Sequence, residues 1–408
     1  MLVIRALSAV VVVFCCLLLQ PRAQDPLPQK DEDEVKKLGP VDPYTGGDKA
    51  AMAAAGVVAY GPFAWADFLT TADVDRVLGE GRVLWMETAH FKFGVNLRSV
   101  KWPDEQDQRK LLQDEVKLLR KTLPKLAERP KKIDPWLRVH LYAARCEKAY
   151  AEFQKLIGVR DADFPAKGDT PPNGAYLGLP GKFLVLLFQK KSDMVRYMDR
   201  FCGRKDERSM RYYHQKTNQM LLCVSAEGME GVDECGLYGH VTYAIWHNLM
   251  SGYQGFQYPL PPWFAEGLAQ WYARKVPTDY LTVEIKDDEA VAEEKQHEWP
   301  IKVRRRAQHE GLCIPFATMA EWPDSAAMGY HAHTQSWSRI DYLMRLDAQK
   351  VGQLLRQLKN VPPTGDWEAQ GAQVRAMAQK LLFDLYELDA ATFDQKWRDW
   401  VLKTYPKK

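Results

Sequence analysis

The chain has 408 residues, of which 56 are Lys or Arg and 53 are Asp or Glu. This even balance, with no basic stripe interleaved with aromatics, excludes nucleic acid as an expected partner. The length exceeds what a single typical core holds, so two packed subdomains are expected.

Arg5 precedes an apolar run from Ala6 to Leu19, which is followed by Gln20-Pro21-Arg22-Ala23. That is the order of a secretory signal peptide, and the run falls short of the roughly 20 residues a membrane-spanning helix needs. Cleavage after Ala23 is expected, which places the protein in a periplasmic, cell-surface or extracellular space. Pro21 stands where a small residue is preferred, so the alternative is an uncleaved anchor, the one case in which a membrane would be a partner. Removing residues 1–23 takes away Arg5 and Arg22 and leaves 54 basic residues against 53 acidic ones. Five cysteines then remain: Cys146, Cys202, Cys223, Cys235 and Cys313. Their wide, odd-numbered spacing is not a disulfide framework; Cys223 and Cys235 either close one loop or stay reduced in the core. The absence of a CxxC pair gives no cysteine zinc site.

Residues 24–49 are polar, with Asp31-Glu32-Asp33-Glu34, Lys36-Lys37 and Gly46-Gly47, and read as a linker. An N-terminal α+β subdomain is expected over residues 50–235. Its strands are read at Arg82–Glu87 with His90–Phe93, at Phe183–Phe188 and at Met220–Val224. The run at Phe183 is apolar throughout, as a strand buried on both faces requires. Leu111, Leu112, Leu118, Leu119 and Leu123 mark one helix, and a second follows Asp134-Pro135, where the acid caps and the proline suits the first turn. Another helix starts at Ser192-Asp193, and Glu227 to Gly239 read as a loop. A helical lobe is expected over residues 236–408, with helices at His240–Met250, from Trp263, and at Gln335–Leu346, Val351–Leu358, Trp367–Leu388 and Thr392–Lys403. The sum is α+β, a mixed sheet followed by a mainly helical lobe.

Three segments of that lobe carry candidate chemistry. The first runs from His240 through Tyr243 and Ala244 to His247, the second from Pro262-Trp263 through Glu266-Gly267-Leu268-Ala269 to Tyr272, and the third contains His331, His333, Gln335 and Ser336. Their order resembles the gluzincin metallopeptidases of the peptidase MA-like group, in which an HExxH helix precedes a Pro-Trp-x-x-Glu-Gly-Leu-Ala helix and a later helix opening Tyr-x-Gln-Ser. The segments at Glu87–Phe91, Phe183, Gly311–Pro315 and Phe393–Trp400 are similar to that group's layout from about residue 80 onward.

HExxH works because residues four apart on a helix point the same way, about 6 Å along the axis, so two imidazoles converge on one zinc. The glutamate beside the first histidine polarises a zinc-bound water, and the next helix supplies a third ligand. The resemblance assigns the second histidine to His247 and the third ligand to Glu266. Tyr243 then stands in place of the first histidine, and Ala244 in place of the base. His240, seven residues before His247, is about 10.5 Å away along a helix, too far to substitute, and reads as a helix-end or loop residue. His333 corresponds to the group's oxyanion-stabilising tyrosine.

The scaffold implied is therefore zincin-like with a degenerate centre, and the expected function is a non-catalytic pseudo-metallopeptidase that binds a ligand or plays a structural part. No cofactor is expected. The alternatives are a zinc-dependent hydrolase using His247, Glu266 and His333, and a structural envelope protein. His240, Tyr243, Trp263 and His331 are expected to line the cleft, whose aromatic character suits a peptide or polysaccharide. His297-Glu298, His309-Glu310 and Arg304-Arg305-Arg306 read as solvated surface.

Overall fold

The computed structural model describes residues 33–164, 174–229, 231–280, 282 and 298–407. The proposed signal segment and His297 lie outside the described residues. Within them the protein is α+β, with a mixed six-stranded sheet in the N-terminal half and a mainly helical C-terminal region.

Two short helices, α1 (Asp33–Leu38) and α2 (Lys49–Ala54), precede β1 (Ala59–Tyr60). Residues up to 49 of this stretch were expected to belong to a polar linker, and Val35 and Asp42 show that part of it is docked instead. Val35 is buried, and Asp42 is fully buried. The Asp42 carboxylate accepts from the Tyr60 hydroxyl at 2.6 Å and the Thr45 hydroxyl at 2.7 Å, and His140 Nε2 lies 3.0 Å from it. A charged composition thus conceals a strap whose Asp42 is satisfied by protein partners rather than by water.

The sheet then assembles from β2 (Leu84–Glu87), β3 (Phe91–Asn96), β4 (Phe183–Phe188), β5 (Met210–His214) and β6 (Gln219–Ser225), in the order β1-β2-β3-β4-β6-β5. The pairs β3–β4 and β4–β6 are parallel and the others antiparallel. Period-two alternation sends Leu184, Leu186 and Phe188 of β4 to one face and Phe183, Val185 and Leu187 to the other. Helices α3 (Thr71–Leu78) and α6 (Lys191–Tyr197) cover the first face. The second face belongs to the main core, where α5 (Pro135–Ile157) packs; α4 (Gln106–Leu119) lies against α5. Asp134 caps α5 as the sequence suggests, accepting from the Leu137 amide.

Strand β5, not anticipated from the sequence, pairs with β6 at the end of the sheet, and among the described residues no strand pairs with its other edge. Cys223 and Cys235 are not bonded: Cys223 faces the α3 and α6 layer, and Cys235 sits in a separate small cluster with Tyr238 and Val276.

The helical region comprises α7 (Glu234–Gly252), α8 (Pro262–Ala273), α9 (Trp299–Ala307), α10 (Phe316–Ala320), α11 (Tyr330–Lys359), α12 (Trp367–Tyr386) and α13 (Ala390–Thr404). Helix α7 begins before the expected loop ends, because the Asp233 carboxylate caps it by accepting from the Gly236 amide at 2.6 Å. The two helices expected between Gln335 and Leu358 are joined as α11, with a break in helical backbone at Asp347. Arg304, expected on a solvated face, lies buried in α9, and its guanidinium donates to the carbonyls of Val401 and Tyr405 at the end of α13. The last carbonyls of a helix carry partial negative charge, so a cation is stabilised there, although the Tyr405 amide also donates to the Val401 carbonyl. One buried apolar cluster runs from Val35 to Tyr405, across sheet and helices alike.

Candidate functional site

Helices α7, α8 and α11 bring the three sequence-predicted histidine and glutamate positions together. Gly267 makes this arrangement possible, because a Cβ there would lie 2.6 Å from both Ile340 Cγ1 and the Ser336 carbonyl oxygen of α11. The glycine beside Glu266 therefore lets α11 approach α8 closely enough to set His333 against the carboxylate. Glu266 lies between the two imidazoles: His247 Nε2 is 3.5 Å from Oε1 and His333 Nδ1 is 3.6 Å from Oε2. The shortest contact comes from Tyr243, whose hydroxyl donates to Oε2 at 2.6 Å. The Tyr243 and His247 rings, one helical turn apart, meet edge to face at 4.7 Å.

Burial disfavours the charged form of Glu266, but His247, then His333 and the Tyr243 hydroxyl, outweigh it and hold the carboxyl down at about 2. Burial is also the leading effect on His247 and His333, holding both below the usual imidazole range against the attraction of Glu266. An ionised Glu266 flanked by neutral imidazoles is the state consistent with both directions.

Zinc fits this set in donor type, since two histidines and a glutamate are ordinary ligands. His247 Nε2 and His333 Nδ1 are buried without a hydrogen-bond partner. It does not fit in arrangement. The imidazoles address different carboxylate oxygens, and the Tyr243 hydroxyl already engages one of these oxygens. Ala244 places a methyl group where a base would be required.

The remaining predicted positions divide. His240 was expected near a helix end or in a loop, but it lies inside α7 and lines a cavity of about 580 Å³ with Tyr243, Ala244, Glu266 and His333. Trp263 was expected in the cleft but is fully buried against Phe316 and Phe393 at centroid distances of 5.0 and 6.5 Å. His331 also departs from the expected lining and sits edge-on to Tyr330, 5.4 Å between ring centroids. Residues two apart on a helix point about 200° apart, so only one of His331 and His333 can face Glu266. His309 is exposed, as expected.

A second cavity, of about 720 Å³, adjoins the first and shares Arg211, Glu266 and Ser325 with it. Its walls carry Tyr213, Phe256, Tyr258 and Trp367, none of which the sequence placed in a cleft. They come from three separate stretches of chain, with Phe256 and Tyr258 in the loop between α7 and α8, and form no motif.

Both His240 nitrogens are buried without a hydrogen-bond partner, and burial takes its pKa down to about 4. The unfolded chain, titrating near 6.5, binds the proton first, so stability is full at neutral pH and is lost as pH falls from about 6.5 toward 4. This group alone should remove on the order of 2 kcal/mol between pH 7 and pH 5. His247, His333 and Glu266 act in the same direction, so the informative quantity is a difference. Urea unfolding of His240→Phe should show a shallower acid limb than wild type, and parallel limbs would refute the assignment.

Comparison with protein-family models finds no match for the chain. Comparison with curated proteins finds none either.

Proposed function

We propose that this chain is an exported pseudo-metallopeptidase that binds an extended peptide in a cleft descended from a gluzincin-type site and does not cleave it. The observation that carries this reading is the Tyr243 hydroxyl donating to Glu266 at 2.6 Å. A phenol that engages the would-be third ligand, from the helical position of the first ligand, favours a metal-free hydrogen-bonded knot. Ala244, next to it, supplies no proton acceptor for a water. A peptide is favoured as ligand because β5, whose second edge no other described strand pairs, contributes Arg211 to both cavities. An exposed strand edge offers main-chain hydrogen bonds to an extended segment.

The test is metal analysis of the purified mature protein with hydrolysis and binding assays on a mixed peptide library, for wild type and Glu266→Ala. Substoichiometric zinc, retained peptides and no turnover above the Glu266→Ala background are expected. One zinc per chain with turnover lost in Glu266→Ala would replace this reading with the hydrolase built on His247, Glu266 and His333. Failure to retain any peptide would leave a structural envelope role.

A further inference from the structure

Lys359, the last residue of α11, is only 4% exposed yet lines the larger cavity. Its ammonium donates to the carbonyls of Ser251 at 3.1 Å and Gly255 at 3.2 Å, at the C-terminal end of α7. An ammonium has three donors, so one is left by these bonds. Burial lowers its pKa to about 7. A cation so enclosed, held among the described residues by carbonyls rather than by a carboxylate, is costly unless something anionic reaches it.

The opposite wall is one face of α12. Its Gly371 admits Tyr258, since a Cβ there would lie 2.2 Å from the Tyr258 hydroxyl and 3.1 Å from an Arg375 guanidinium nitrogen. Arg375 has a side chain 18% exposed, a buried Nε without a hydrogen-bond partner, and a contact of 3.6 Å from that Nε to Glu321, which is itself 64% exposed. Around these two cations stand aromatic rings. Tyr213 stacks on Phe256 at 4.5 Å, and Trp367, 63% exposed, tilts over Tyr258 at 4.6 Å. Of the acids that line the groove, Asp324 and Glu368 are exposed and screened by solvent, and the buried Glu266 is engaged by the Tyr243 hydroxyl between two imidazoles, whereas Lys359 is buried among carbonyls.

We infer that this groove captures the C-terminal residue of a peptide, with the terminal carboxylate on Lys359 and Arg375 and the last side chain seated among Tyr213, Phe256, Tyr258 and Trp367. The inference deepens the peptide-binding reading and rests on it. A buried ammonium and a guanidinium bind a carboxylate through charge-assisted hydrogen bonds, while the rings select a large apolar terminal side chain. An amide cap removes the charge and keeps the rest, so the terminal group can be tested alone.

The probe is a fluorescein-labelled random hexapeptide pool ending in phenylalanine, prepared as the free acid and as the amide. The full mature protein should bind the free acid at least tenfold more tightly. The preference should shrink severalfold in Lys359→Met and in Arg375→Gln, each checked for an unchanged melting transition. Arg375 is near the surface, so its variant keeps the question open to refutation if Lys359→Met does not fold. Equal binding of acid and amide would overturn the carboxylate site while leaving peptide binding intact. Absence of binding to either pool would overturn the peptide reading itself. Retention of a glycan array that depends on Trp367 and ignores Lys359 would overturn the inference in favour of a polysaccharide.

Discussion

Glu234→Gln should cost about 3–5 kcal/mol of unfolding free energy, because it leaves two buried guanidinium groups without their shared counter-charge. Arg138 Nη2 donates to Glu234 Oε2 at 2.6 Å and Arg145 Nη1 to Oε1 at 3.0 Å. All three side chains are nearly sealed from water, at 3%, 3% and 2% exposure. Arg145 is further held by Glu115 at 2.7 Å and lies 3.9 Å above the Tyr238 ring of α7. Both arginines belong to α5 and Glu234 opens α7, so the network fixes the start of the helix that carries Tyr243 and His247. Domains of ordinary stability have about 5–15 kcal/mol in total, which makes this loss a large share. Glu115→Gln is the control: its side chain is 18% exposed, so solvent can compensate, and a loss of about 1 kcal/mol is expected. Denaturant unfolding of the two variants should rank them in that order. A loss below about 1 kcal/mol for Glu234→Gln would mean that the arginines find other acceptors.

The same helix shows what the sequence could and could not disclose. Positions 243, 247 and 266 were legible because helical spacing and the Trp-x-x-Glu-Gly-Leu-Ala pattern place them without tertiary knowledge. His333 lies 3.6 Å from Glu266. What Tyr243 does was not legible, since its hydroxyl finds Glu266 only after α8 packs on α7. Strand β5 was missed because its half-exposed residues show no alternation and its pairing is made only by β6. The groove rings were missed for a related reason: Tyr213, the loop pair Phe256 and Tyr258, and Trp367 belong to three separate segments and converge only in three dimensions. Trp263 misled in the opposite sense, since a motif residue can serve the core that supports a site without touching the site.

On the proposed pseudo-metallopeptidase reading, a histidine at 243 and a glutamate at 244 together should convert the knot into a zinc centre. In Tyr243→His with Ala244→Glu, the new imidazole stands one turn before His247, on the face where the Tyr243 ring already meets the His247 ring at 4.7 Å. Removing the phenol frees the Glu266 oxygen that it engages. Two imidazoles and a carboxylate then address one point, the donor set of a catalytic zinc with an open position. Ala244 is itself only 3% exposed but lines the smaller cavity, so a glutamate side chain has room to enter it. Zinc affinity should rise at least a thousandfold over wild type, about 4 kcal/mol. The single variants separate the contributions. Tyr243→His should bind zinc without cleaving peptides, because it lacks a base. Ala244→Glu should bind none and lose stability, because it sets a second carboxylate near Glu266 without a cation between them. Hydrolysis should therefore arise only in the double variant. A folded double variant that takes up no zinc would show that α8 and α11 hold Glu266 and His333 outside zinc geometry. The proposed pseudo-metallopeptidase reading would then require a change in the backbone, and not in two side chains alone.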